Sequence, residues 1–244
     1  IYPADRTLIT GGSQQLLYMT LEALCDTNDI VLVEDPTYFV FLSILQGRGI
    51  KARGVKLERD GLDLAHLETV LTRLKKSGEL RRVKVLYLVS YFQNPSGATT
   101  SFEKKSAALK LLKKFEPAAG HPIYRLEDAA YRELRFTGRD VPSALTANGA
   151  VERVMYTGTY TKPFATGGDP GQSRFVVEGV VAPGISLWRA SCSTAVASVF
   201  TLSSSEEIDS ESGRLATAAW ICSRRSAMPA IMRSSAAWGW GSAA

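Results

Sequence analysis

Val83-Lys84-Val85-Leu86-Tyr87-Leu88-Val89-Ser90-Tyr91-Phe92-Gln93-Asn94-Pro95-Ser96-Gly97 begins as a β-branched and apolar run and stops at a turn. A run of this length, closed by Asn, Pro, Ser and Gly, predicts a buried strand over Val83 to Ser90. Downstream, Ala107, Ala108, Leu111, Leu112 and Phe115 recur at helical spacing. They predict a surface helix with one buried stripe. Its expected start is Thr100-Ser101-Phe102-Glu103, a capping-box arrangement that satisfies exposed amide donors.

The same alternation runs from Leu8 to about Gly167. Further strand candidates are Ile30 to Glu34, Lys51 to Leu57, Ile123 to Glu127 and Val154 to Thr157, and Leu64, Leu67, Val70, Leu71 and Leu74 mark another helix. Strands that alternate with amphipathic helices predict parallel βαβ units, hence an α/β fold.

The bulk numbers narrow the function. With 244 residues, 45% of them apolar, the chain can bury a substantial core. Its net charge of +5 sits mainly on helix faces such as Arg73-Leu74-Lys75-Lys76 and Lys110 to Lys114, which are expected to be solvated, with no basic-aromatic module for nucleic acid. Cys25, Cys192 and Cys222 lie far apart, so neither a disulfide framework nor a metal site is expected. That usage fits a reducing, cytoplasmic setting. No apolar run approaches a membrane span, and Ile1-Tyr2-Pro3-Ala4-Asp5-Arg6 lacks the features of a signal peptide. Without an initiator Met, the chain reads as a piece of something longer.

Five short segments carry chemistry. Thr10-Gly11-Gly12-Ser13-Gln14-Gln15 opens a helix, whose free amides and positive dipole end suit a phosphate. Glu34-Asp35-Pro36-Thr37-Tyr38 places an aromatic face at the carboxyl edge of the sheet, where open α/β folds bind ligands. In the quoted turn, Asn94 offers an amide donor aimed by Pro95 and Gly97. Leu126-Glu127-Asp128-Ala129-Ala130-Tyr131 puts a carboxylate at a strand end, able to pair with a pyridinium nitrogen, with a phenol three residues on. Tyr156-Thr157-Gly158-Thr159-Tyr160-Thr161-Lys162 sets an amine among hydroxyls after a strand, as a Schiff-base lysine needs. Each has a plainer reading: a glycine-led helix cap, a core tyrosine, an Asn-Pro turn, an aspartate capping its own turn, a surface lysine.

In this order and rough spacing, over roughly residues 7 to 167, the five segments together resemble the large domain of fold-type I, class I/II aminotransferases. The resemblance is closest to the branch holding 2-aminoadipate and aromatic aminotransferases and the effector domains of MocR-type regulators. It implies a three-layer α/β/α domain with a mainly parallel sheet, binding pyridoxal 5'-phosphate (PLP). By the same resemblance, Lys162 forms the Schiff base and shuttles a proton, Asp128 holds the pyridine nitrogen, and Asn94 and Tyr131 hold the ring oxygen. Tyr38 stacks on the ring, while Gly12, Ser13, Gln14 and Thr159 contact the phosphate. The implied reaction moves an amino group from an amino acid with a bulky or acidic side chain to a 2-oxo acid, with 2-oxoglutarate as acceptor. An intact member would be a homodimer. The competing readings are a PLP-sensing effector domain of a transcription regulator and a remnant without turnover.

The pattern breaks after Gly167. All four tryptophans follow it, and no lysine or tyrosine does. Where the resemblance expects an arginine beside the phosphate stands Asp169, of the wrong sign, with Arg174 nearby. Gly168-Asp169-Pro170-Gly171, written GGG GAT CCG GGT, becomes Gly-Ile-Arg-Val on loss of one leading G. A shifted reading frame is therefore one expected origin of the stretch 168–244, which resembles no small domain of the family. Residues 1–167 are expected to form the PLP-binding part, followed by an atypical or poorly ordered tail, and low activity is expected of a chain so altered.

Overall fold

The computed structural model describes residues 7–10, 12–159, 162 and 177–180, all within one compact unit, Ile1–Thr194. In chain order the elements are β1 (Thr7–Thr10), α1 (Ser13–Leu24), β2 (Ile30–Asp35), α2 (Phe39–Gly47), β3 (Lys51–Glu58) and the two-residue β4 (Gly61–Leu62). There follow α3 (Leu64–Lys76), β5 (Val83–Val89), α4 (Phe102–Ala119), β6 (Tyr124–Asp128), β7 (Val154–Thr157) and β8 (Val177–Val180). They build an eight-stranded sheet in the order β1-β8-β7-β6-β5-β2-β3-β4. The five central strands, β7, β6, β5, β2 and β3, are parallel, while β8 runs antiparallel to both β7 and β1.

Alternation along each strand divides the core. Ile30, Leu32, Leu86 and Leu88 point to the layer of α3 and α4, where Leu67, Leu71, Leu74, Ala108, Leu112 and Phe115 meet them. Val31, Val33, Val85, Tyr87 and Leu126 point the other way, against Leu17 and Leu21 of α1 and Phe41 and Leu45 of α2. Helices therefore cover both faces, as parallel strands require. Each fully buried leucine contributes about 1.5–3 kcal/mol through lost contact with water. Every expected strand is present, the largest offset being β6, which starts at Tyr124 and carries Asp128 inside the ladder.

Helix ends follow local chemistry. The α3 start is capped by Asp63, which accepts from the His66 amide at 2.9 Å, and Arg73, Lys75 and Lys76 in its last turn complement the helix dipole. Helix α4 departs from its expected start by one residue. Ser101 is the cap, accepting from the Lys104 amide, so lysine occupies the place of the reciprocal glutamate and only half of the box forms. Gly120 ends α4 at φ 79°, a conformation that a side chain would strain.

Two features lay outside the expectations. Lys105 on α4 is fully buried. Beyond Gly167, Val177–Val180 pairs with β1 and β7 within the sheet. Composition alone concealed this strand. The rest of 168–244, including Asp169 and Arg174, lies outside the described residues. Among the described residues, no helix is long and apolar enough to cross a membrane.

Candidate active site

The parallel strands deliver their carboxyl ends to one edge of the sheet. Chain connections leave β2 toward β3 on one side and return to β5 on the other, so a crevice opens between the ends of β2 and β5. Main-chain pairing of these two strands reaches only Val33 and Tyr87, although β2 continues to Asp35 and β5 to Val89. Their ends are left to side chains.

Asp128 ends β6 beside this crevice and is 4% exposed. Its backbone is locked from both neighbours: the Ser90 amide donates to its carbonyl, and the Ala129 amide donates to the Thr157 carbonyl of β7. The Tyr87 hydroxyl donates to Oδ2 at 2.8 Å and the Ala130 amide to Oδ1 at 3.0 Å. Burial raises the carboxyl above the ordinary aspartate range, against the pull of these two donors.

Tyr131 follows in the turn after β6 and packs on the α1–α2 face of the core, the face that holds Tyr87. Asn94 Nδ2 donates to the Tyr131 hydroxyl at 3.4 Å, linking the β5 turn to the β6 turn. Lys162 is exposed, with Nζ 5.8 Å from the centroid of the Tyr131 ring. Tyr38 sits at the start of α2, half-buried against the same core face and edge-on to Phe39, with ring centroids 5.8 Å apart. Burial, then Tyr131, then Asp128, hold its phenol above the ordinary value.

Gly12, Ser13 and Gln14 form the start of α1. Strand β1 runs in the same direction as β7, because both are antiparallel to β8, so this helix start leaves from the edge that carries Asp128. Gly12 adopts φ 140°, which only glycine tolerates, and no side chain caps the helix. Thr159 lies two residues past β7 on that edge. Thus Asp128, Tyr131, Asn94 and Lys162 are drawn together by contacts through Tyr131 and the shared face, while Gly12, Ser13, Gln14 and Thr159 share the edge.

Reading the residues alone missed several groups that shape the site. Tyr87 stands inside an apolar strand and gave no signal except its hydroxyl. Gln93 is 1% exposed, and its Nε2 donates to the Pro36 carbonyl at 2.7 Å. Glu34, 1% exposed, accepts from the Val89 amide at 3.1 Å, and burial pushes its carboxyl up to about 8. On the opposite face of β6, Glu127 pairs with Lys105 Nζ at 3.1 Å and accepts from Ser143 Oγ and the Ala144 amide. Arg125 donates from that face to the Lys105 carbonyl at 2.7 Å. Acids ending apolar strands were the available signal for Glu34 and Glu127.

Residues 1–169 match the model of the family described as aminotransferase class I and II. The aromatic-amino-acid aminotransferase 1 of Thermococcus litoralis is 31% identical over 160 residues, 66% of this chain and 36% of that protein. The uncharacterized HTH-type transcriptional regulator YdcR of Escherichia coli is 29% identical over 164 residues, 67% of this chain and 32% of that protein. The Pyrococcus horikoshii kynurenine aminotransferase, solved in complex with PMP, superposes with a TM-score of 0.65 at 32% identity, covering 78% of this chain and 44% of that one. The chain thus spans about a third of the length of these curated relatives. The family match over most of the chain, together with the parallel sheet and the residues at its carboxyl edge, shows that this chain belongs to the class I and II aminotransferases.

Proposed function

We propose that this chain is the cofactor-binding portion of a PLP-dependent aminotransferase, moving an amino group from an amino acid with a bulky or acidic side chain to 2-oxoglutarate. The observation that carries the reading is Asp128, a buried carboxyl on the same core face as Tyr131, to which Asn94 and Lys162 both converge.

The donor set fits the cofactor. A buried carboxyl raised by desolvation is restored to its charged form by a cation beside it, which a protonated pyridine nitrogen would be. The hydroxyls of Thr37 and Thr157 are buried without a partner among the described residues, as expected at an edge completed by a polar ligand. Bound PLP supplies an electron-accepting ring for the pair left when a substrate α-proton departs.

The chain's own residues then have these tasks. Asp128 would accept from the ring nitrogen, oriented for it by Tyr87 and the Ala130 amide. Asn94 and Tyr131 would donate to the ring oxygen, and Tyr38 would cover one ring face. Amides of Gly12, Ser13 and Gln14 and the Thr159 hydroxyl would hold the phosphate at the positive end of α1. Lys162 would carry the cofactor at Nζ and, once released by substrate, take the proton from the substrate α-carbon and return it to the carbon that entered as the cofactor's aldehyde. An intact version would act as a homodimer.

Mixing the chain with PLP, reducing with borohydride and mapping the product by mass spectrometry tests the binding step. A pyridoxyl group on Lys162 is expected, and one placed on another lysine, or none, refutes the assignment. Turnover is then read with 2-oxoglutarate and a panel of amino acids. The likeness to an HTH-type regulator favours one second reading, a PLP-responsive effector domain. Uptake at Lys162 without turnover of any donor is the outcome that reading requires, and turnover excludes it.

A further inference from the structure

We propose that Gln93 is a positioning residue that fixes the separation of Tyr38 and Asn94 across the crevice between β2 and β5. The inference rests on the ring-binding roles given above to those two residues.

The geometry is that of a single buried side chain fastened at both ends. Nε2 donates to the carbonyl of Pro36, two residues before Tyr38, at 2.7 Å. Oε1 accepts from the Ser96 amide at 2.8 Å and the Ser96 hydroxyl at 2.6 Å, closing the turn that carries Asn94. The main chain of Gln93 is pinned as well, its amide donating to Ala98 and its carbonyl accepting from Gly97. Phe92 beside it takes φ 45°, a left-handed conformation costly for a residue with a Cβ, and its amide donates to Thr99 Oγ1 at 3.1 Å.

This side chain stands where the sheet stops holding its strands together. Ladder pairing of β2 with β5 ends at Val33 and Tyr87. Beyond it, the Val89 amide donates to Glu34 Oε2, the Gln93 side chain also bonds to Glu34, and Gln93 Nε2 donates to the Pro36 carbonyl. The Glu34–Val89 bond ties backbone within the strands. Gln93 reaches the two turns themselves, so the placement of the stacking aromatic relative to the amide donor depends on it. Buried bonds of this kind leave both partners unsatisfied when the linking side chain is lost.

Gln93→Met keeps the volume and removes both links. In the full chain without cofactor, hydrogen exchange should quicken at residues 37–41 and at residues 96–98. In titrations followed by absorbance, the PLP dissociation constant should rise about tenfold, and the induced circular dichroism of bound PLP should weaken, with the melting midpoint within a few degrees of the parent. PLP affinity within twofold of the parent and unchanged exchange overturn the inference while leaving the site assignment standing. Failure of the parent chain to take up PLP overturns the site assignment and this inference with it. Should Gln93→Met not fold, Ser96→Ala carries the test, since it removes one of the two bonds to Oε1 from an exposed turn. A two- to threefold loss of PLP affinity is then expected, and no loss overturns the inference.

Discussion

The hydroxyl of Tyr87 on β5 donates to Asp128 Oδ2 on β6 at 2.8 Å, diagonally across two paired strands. Tyr87 itself is clamped by Phe41, with ring centroids 3.7 Å apart and planes at 19°. Tyr87→Phe keeps that stack and strips Asp128 of one of its two donors. Stability should fall by about 1–3 kcal/mol, the cost of an unsatisfied buried acceptor, and the Asp128 carboxyl should move further above its ordinary range. Urea denaturation measures the first effect. A PLP affinity about tenfold weaker, read by absorbance titration, is expected alongside it.

Glu34 makes stability depend on pH in an unusual direction for a carboxyl. Burial lifts its folded value from 4.5 to about 8, against the Val89 amide, Gln93 and Arg125, with Asp128 adding to the rise. A raised folded value means that the contribution to stability is complete below pH 4.5 and is lost as pH climbs to about 8. Between those limits the loss should approach about 1.4 kcal/mol per pH unit. Glu34→Gln, which still offers an acceptor to Val89, should flatten the dependence. Denaturation midpoints measured at several pH values in that window decide it, and parallel profiles for the two proteins would count against the assignment.

The ionic cluster on the far side of β6 should behave as one unit. Glu127 lies below the ordinary carboxyl range although burial opposes this, because Arg125 and Lys105 attract its charge. Burial in turn lowers Lys105 to about 8, with Glu127 working against that shift. Glu127→Gln removes the only carboxylate paired with Lys105 among the described residues and should cost about 3–5 kcal/mol. Lys105→Met in the same chain should recover part of that loss. A double-mutant cycle by chemical denaturation gives the coupling directly, and additive costs would contradict it.

Lys162 should be dispensable for folding. It is exposed, and Lys162→Ala is expected to leave stability within about 0.5 kcal/mol of the parent. Borohydride-trapped pyridoxyl label should disappear in the same variant. Label that persists at equal yield would move the reactive amine elsewhere.

Much of the fold was legible because it rests on short-range pattern. The runs at Ile30, Lys51, Val83, Ile123 and Val154 carry the β-branched residues that a half-buried or buried strand requires, and each is a strand in the structure. Strand β8 was hidden because the composition around it argues against the rest of the chain, although Val177 and Val180 carry the same β-branched signal. Partnerships were less visible. Lys104 and Lys105 are neighbours in sequence and about 100° apart around the helix. One reaches Glu58 and Asp60 at the surface, while the other is enclosed with Glu127 and lies 3.8 Å from the centre of the Tyr91 ring. No local feature separates the two. Gln93 escaped notice for the same reason, since its importance comes from Pro36, which lies 57 residues away.

Strand β6 is a wall with two tenants. Arg125 and Glu127 serve the α4 side, while Leu126 and Asp128 serve the other. Parity along five residues therefore decides which acid meets the crevice and which is sealed in with Lys105. Insertion or deletion of a single residue within Tyr124–Asp128 would trade the two acids between their compartments, disabling the ligand edge and stranding a buried cation in one step. By that parity, substitutions leave each acid in its compartment, and room for a change of length lies in the turns at either end.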